Sequence, residues 1–331
     1  MQKPAGMQKP AENSSKSAGC TETVASPGSI AYWHYDHLSF PLPEQHRYPR
    51  GKYRLVRELL LAEGALAPRQ LTPCEPATWE LLALLHKPAY LETLRAGALT
   101  PQAERELGLP VTHELVLRAR AAVWGTQQAA LSALRGGAAA NLGGGNHHGF
   151  PGRGTGYCLL NDIAVAIRYL QQELLVERIA IVDLDVHQGN ANAEIFRHDP
   201  AVFTLSVHGA RNWPYRKAES DLDLALPDGT GDESYLAAIE PVLLKLYEHF
   251  RPDLVFYQAG VDPLASDRLG RLALSLQGLR RRDRLVLELS RDHHCPLVVT
   301  MGGGYARDLA DTVRAHANTF RELEAVWGRI A

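Results

Sequence analysis

The chain has 331 residues, 45% hydrophobic and 22% charged, the profile of a globular protein able to bury an extensive core. Its 35 lysines and arginines against 37 acidic residues leave a formal charge of −2, so no global field draws it to nucleic acid or an anionic membrane. No segment approaches the roughly 20 consecutive apolar residues of a membrane span, and the N-terminus lacks the apolar core of a secretion signal, which predicts a cytoplasmic protein.

Residues 1–28 are rich in Ser, Ala, Lys and Pro, carry the near repeat "MQKPAGMQKPA" and have no apolar period, so they read as a disordered tail. Residues 29–331 read as one folded domain. Helical spacing marks 54–63 and 115–134, and "GAAANL" before Gly143 is a strand. "NDIAVAIRYLQQELL" is a helix capped by Asn161 or Asp162. Strand "RIAIVDLD", a helix from Ala191, strand "AVFTLSV", helix 233–250, strand "DLVFYQAG", helix 275–293, strand "PLVVTMGGG" and helix 305–318 follow. These strands are continuously apolar, as in a parallel sheet covered by helices on both faces, so the fold class is α/β. Ligands of such sheets sit outside the carboxyl ends of the strands.

Those ends are where the polar sequence collects: "GGGNHHG", "DLDVHQGN", "SVHG", "QAGVDP" and "MGGGY". If strand geometry persists, Asp183, Asp185 and His187 share one side. Buried carboxylates need partners. A metal ion held by Asp oxygen and His nitrogen, with Asp262 as a further ligand, is one answer. The other is a helix cap, a salt bridge and a loop histidine. His147 and His148 could divide proton transfer and charge stabilisation beside a metal, with Asp183 and Asn190 as partners that fix their tautomers. Tyr305, after three glycines, could donate to an oxyanion or simply pack at a helix start.

Other readings fail on spacing. A G-x-G-x-x-G register from Gly143 puts His148 at the last glycine, and "GGGYAR" puts Arg307 there, so nucleotide binding is discarded. The four cysteines are far apart and lack C-x-x-C, which supports neither a cysteine-ligated zinc site nor a disulfide framework. "RRRDR", Arg280 to Arg284, reads as a solvated helix face or terminus.

In order and spacing from Asn141 to Tyr305, "GGGNHHG…GYCLLNDIAVA…VDLDVHQGN…LSVHG…QAGVDPLASDRLG…GGGY" resembles the zinc-dependent histone deacetylase family. "HQGN" and "SDRLG" are similar to its class IV branch and bacterial relatives. The resemblance implies a single-domain arginase/deacetylase-like fold over 29–331, with a central parallel sheet and helices on both faces. It implies that Asp185, His187 and Asp262 bind Zn2+, that His148 is general base then acid, that His147 is its electrostatic partner and that Tyr305 is the oxyanion donor. Asp183 would orient His147 and join Asp185, His187, Ser206 and Val207 around a structural K+. Gly156 would accept the substrate amide hydrogen, with Tyr157, Trp213, Leu269 and Gly303 also at the substrate.

Departures from the family pattern accompany it. Asn190 stands where aspartate is frequent and should leave His148 less basic. Tyr157 replaces a frequent phenylalanine, and no counterpart of the acidic rim residue found in some classes is evident. The implied activity is hydrolysis of acyl-lysine amides on proteins or peptides. Small acylated amines such as acetylpolyamines, a manganese ureohydrolase-like centre and a silent acyl-amine binding module are the alternatives, and the acyl chain is open. The manganese reading lacks an aspartate after His187 that would bridge two ions.

Overall fold

The computed structural model describes residues 29–328, so the tail expected over 1–28 lies outside the described residues. Eight strands form one sheet: β1 Ala31–His34, β2 Leu71–Pro73, β3 Ala138–Asn141, β4 Ile179–Asp183, β5 Val202–Gly209, β6 Leu222–Leu226, β7 Leu254–Gln258 and β8 Leu297–Thr300. Their spatial order is β2-β1-β3-β8-β7-β4-β5-β6. Every pairing is parallel, as the continuous apolar runs require.

Ten helices connect them: α1 Lys52–Ala62, α2 Trp79–Leu82, α3 Pro88–Arg95, α4 Pro101–Leu107, α5 His113–Gly136, α6 Asp162–Gln172, α7 Asn190–Phe196, α8 Asp232–Lys245, α9 Leu276–Asp292 and α10 Leu309–Trp327. Alternating strand side chains feed two cores. Tyr257 and Val299 pack with Val56, Leu60 and Phe320 on one face, where α1, α8, α9 and α10 lie. Phe256 and Val298 pack with Ile163, Ile167 and Phe196 of α6 and α7 on the other. A third cluster, including Leu82, Leu91, Leu94 and Leu107, joins the short helices α2, α3 and α4 to α5 and α6. Among the described residues no helix is long and apolar enough to cross a membrane.

Caps fix the boundaries. The Asn161 side chain accepts from Ala164 N at 2.9 Å, which starts α6 one residue after it. The Ser275 hydroxyl accepts from Gly278 N at 2.9 Å at the head of α9. The last helix begins at Leu309, not at 305, because Asp308 is its cap and accepts from Ala310 N. Helix 233–250 is α8 followed by one π-helical turn, Leu246–Phe250. Cys74, Cys158 and Cys295 are free and buried.

The "RRRDR" run is not uniformly solvated. Arg282 is fully buried. Its guanidinium pairs with Asp283 at 2.7 Å and donates to the carbonyls of Leu184 and Gly260 at 3.2 and 2.6 Å. Because α9 packs between α8 and α10, only part of its circumference can face water. Arg280 and Arg284 both reach the buried carboxylate of Glu322, and only Arg281, paired with Glu233, is at an exposed pair.

Candidate active site

The sheet register sets the site. Asn141, Thr300, Gln258, Asp183 and Ser206 are opposed across adjacent strands near the carboxyl edge. Beyond that row each chain segment turns away as a loop. β4 ends at Asp183, so strand alternation does not carry through to Asp185 and His187. The segment instead folds on its own carboxylates: Asp183 accepts from Asp185 N at 3.2 Å, and Asp185 from His187 N at 2.9 Å.

Asp185, His187 and Asp262 converge, with ligand-capable atoms within 4.8 Å of one another and all three residues buried. His187 Nδ1 lies 3.0 Å from Asp185 and 3.1 Å from Asp262. The carboxylates are further held by N–H donors: Gly303 N at 2.8 Å and Gln258 Nε2 at 3.1 Å on Asp185, and Val186 N at 2.8 Å on Asp262. Gly303 is obligatory here, since a Cβ would overlap the carboxylate oxygens of Asp262 and Asp185.

Burial and then the neighbouring Asp185 charge push the Asp262 carboxyl up to about 7. Burial opposes charging of His187, but hydrogen bonds and charges from Asp185 and Asp262 push it up to about 10. Two buried carboxylates and one imidazole at this spacing attract positive charge. That is the chemistry of a divalent cation site with oxygen and nitrogen donors, and the residues fit one.

Beside this triad the rings of His147 and His148 lie with centroids 3.9 Å apart and planes tilted by 42°. His147 Nδ1 bonds Asp183 Oδ2 at 2.6 Å, and His148 Nδ1 bonds Asn190 Oδ1 at 2.7 Å. Their environments separate them. Burial works against protonating His147, yet the Asp183 and Asp185 charges raise its pKa. His148 is driven well below the usual imidazole range by burial and then by His147 and His187. Since the Asn190 amide oxygen only accepts, the His148 proton sits on Nδ1 and Nε2 keeps a free lone pair.

Tyr305 completes the group. Its N–H donates to Asp267 at 2.6 Å, which keeps 301–307 out of helix. Burial first, then Tyr48, Tyr53, Asp262 and Asp185, hold its phenol well above the ordinary tyrosine range, so it remains a proton donor. The buried Lys52 donates to Gly302 O at 2.9 Å, with its cation 5.5 Å from the Tyr305 ring.

His147, His148, Asp185, His187, Asp262 and Tyr305 line one cavity of about 400 Å³. Its walls include Gly156, Tyr157, Trp213, Leu269 and Gly303. Trp213 stands edge-on to His148 at 4.7 Å, and Tyr157 lies 5.8 Å from Tyr305. Gly156 has a φ of 53°, and a Cβ there would meet His148 and Trp213 at 2.8 Å. Gly303 is a wall whose polar groups are already used, its N–H by Asp185 and its carbonyl by Val261 N. Asp183, Asn190, Ser206 and Val207 stand behind the cavity, with Ser206 directly opposite Asp183 in the β4–β5 ladder.

Several residues of the site carry no functional assignment from the sequence: Gln258, Asp267, Lys52 and, at the mouth, the acidic Glu106. Asp267 had a signal, lying inside "SDRLG" between Asp262 and Leu269. Lys52 had none, because a lysine in an amphipathic helix ordinarily faces water.

Comparison with known proteins agrees with this fold. The model of the histone deacetylase domain matches residues 46–320. An uncharacterized protein of Picosynechococcus is 45% identical, covering 91% of this chain and all of that one. Histone deacetylase 2 of Arabidopsis thaliana is 30% identical, covering 84% of this chain and 76% of its own. The crystal structure of an HDAC homolog complexed with SAHA superimposes with a TM-score of 0.77 at 27% identity, over 90% of this chain and 84% of that one. With its eight-stranded parallel sheet and this arrangement at the strand ends, the chain belongs to the histone deacetylase family.

Proposed function

We propose that the protein is a zinc-dependent deacylase that hydrolyses the amide of acyl-lysine in proteins or peptides. The observation that carries this is the convergence of the Asp185–His187–Asp262 triad, the two adjacent histidines and the Tyr305 phenol on one cavity. Asp185, His187 and Asp262 would hold Zn2+, which when bound polarises the acyl carbonyl and acidifies a water.

The chain's own groups do the rest. His148, with its Nδ1 proton engaged by Asn190, offers Nε2 to take a proton from the attacking water and return it to the departing amine. His147, held by the Asp183 carboxylate, which favours its protonated form, stabilises the negative charge that builds in the tetrahedral intermediate. The Tyr305 phenol donates to the oxyanion, a role of about 3 kcal/mol for comparable donors. The Gly156 carbonyl accepts the substrate amide N–H, while Tyr157, Trp213 and Leu269 wall the lysine stem and keep bulk water out. K+ would sit behind, near Asp183, Asp185, His187, Ser206 and Val207. The buried carboxylate and hydroxyl that the β4–β5 register brings together support that position.

The test is release of free amine from acyl-lysine peptides by the zinc-loaded protein. It should disappear on chelation and fall steeply in Tyr305→Phe. Activity that survives both changes would overturn the mechanism, and two manganese ions per chain by metal analysis would favour a ureohydrolase instead.

A further inference from the structure

The mouth of this cavity has a charge character of its own. Arg211, from the turn after β5, and Arg268 and Arg271, from the loop after Asp262, line it and are exposed. Arg268 is pinned over the catalytic tyrosine, its Nε donating to Tyr305 O at 3.1 Å and its Nη2 to Arg47 O at 3.4 Å. Among the described residues no carboxylate pairs with it. Arg211 and Arg271 share a single carboxylate, Asp228, at 2.7 and 3.2 Å. Among the described residues, Glu106 is the one acidic side chain that lines the mouth, Asp185 and Asp262 lying at the floor. Three guanidiniums against Asp228 and Glu106 leave an excess of one positive charge there, on a chain whose formal charge is −2.

These groups sit where the part of the substrate that does not enter the cavity must lie. Once an acylated lysine stem is inserted, the flanking residues of its peptide rest on the rim. Carboxylates there meet guanidiniums with unused N–H donors, which suit carboxylate oxygens in paired geometry. Cations there meet like charge. Acetylated polyamines, whose remaining amines are protonated, belong to the second class.

We infer that the mouth selects acyl-lysine flanked by acidic residues, with Arg211, Arg268 and Arg271 receiving the flanking carboxylates. The inference rests on the deacylase reading of the same cavity and adds the substrate class to it. Exposed ion pairs each change binding only a few-fold, so two or three acting together should give about a tenfold preference at low salt.

Binding and turnover separate the inference from the reading beneath it. Labelled acetyl-lysine peptides with Asp/Glu, Gly/Ala or Lys/Arg flanks are titrated by fluorescence anisotropy against the full chain carrying Tyr305→Phe. N-acetylspermidine serves as a competitor. Acidic peptides should bind about tenfold tighter than basic ones at low salt, and the difference should collapse in about 1 M salt. In Arg211→Gln/Arg271→Gln the ratio of acidic to neutral peptide should move toward one. Equal binding, or tighter binding of the basic peptide, overturns the inference. Cleavage of all three peptides by the zinc-loaded wild-type protein with no preference leaves the deacylase reading standing and removes the inference. Preferential binding of the acidic peptide with no cleavage of any does the reverse.

Discussion

Asn190 accepts at Oδ1 a 2.7 Å hydrogen bond from Nδ1 of His148, while the adjacent His147 gives its Nδ1 proton to the carboxylate of Asp183. One histidine of the pair therefore has a neutral partner and the other a charged one. Burial, His147 and His187 lower the His148 pKa, and the amide offers only a hydrogen bond in compensation. In Asn190→Asp a carboxylate would stabilise the imidazolium and raise that pKa. The base must be neutral to act, so the acid limb of kcat/KM should move to higher pH. A pH profile measured from the acid side checks this, and an unmoved limb would show that Asn190 does not set His148 basicity.

The candidate metal site predicts a pH-dependent stability for the chelated protein. Asp262 is raised from 3.8 to about 7, so the native state holds a proton that the unfolded state has lost, and stability falls as pH rises across that window. His187 is raised from 6.5 to about 10; its contribution is complete below 6.5 and is lost as pH climbs through 10. Both act in the same direction. Below pH 6.5 the depressed imidazoles of His148, His86 and His208 act the other way, so urea unfolding of the chelated protein should give decreasing stability from about pH 7 to about pH 10. Saturating zinc should add about 4 kcal/mol at a thousandfold excess over its Kd. Stability that rises across this range would contradict the arrangement of charges.

Arg282 makes a prediction about folding. It is buried with Asp283, and its guanidinium reaches the carbonyls just before Asp185 and two residues before Asp262. Arg282→Met would leave Asp283 charged and buried with only Tyr257 and Thr319 hydroxyls as partners. A cost of about 3–5 kcal/mol is expected for breaking such a pair. Arg281→Ala, which breaks only the exposed pair with Glu233, should stay within about 0.5 kcal/mol. Denaturant unfolding of the two variants decides between a buried and a solvated run.

This contrast shows what the sequence makes legible. β3, β4, β5, β7 and β8 are continuous apolar runs that end in polar or glycine-rich sequence, and both features follow from a covered parallel sheet with a site at its edge. β6 is an edge strand in which inward and outward residues alternate, and β2 is only three residues long with none of them buried, so neither carries that signal. The convergence of Asp185, His187 and Asp262 and the partners of the two histidines were readable because each lies in a short polar segment beside a strand. Gln258 was not: it ends a buried strand, and its bond to Asp185 depends on β7 lying next to β4. Lys52 and Arg282 look like surface cations because local pattern reports the face of one helix and says nothing of what packs on the other side. Tyr305 was placed in a helix because Asp267, which holds its N–H, is 38 residues away.

That last contact carries its own test. Asp267 is a buried carboxylate that accepts three N–H groups: Tyr305 at 2.6 Å, Leu269 at 2.7 Å and Gly270 at 2.9 Å. It thus ties the wall residue Leu269 to the backbone of the phenol on the facing loop. Asp267 does not line the cavity, so its effect on rate must pass through the groups it positions. Tyr305→Phe should cost about 10²- to 10³-fold in kcat, as for other oxyanion donors. Asp267→Ala should cost about tenfold or more by misplacing the same hydroxyl. If Tyr305 is the route, the two losses will not multiply: in the Tyr305→Phe background, Asp267→Ala should lower kcat little further. A cycle of the four proteins measured under saturating substrate gives the coupling directly. Fully multiplicative losses would mean that Asp267 acts on the reaction by a path independent of Tyr305, through the Leu269 wall or through its charge beside Asp262.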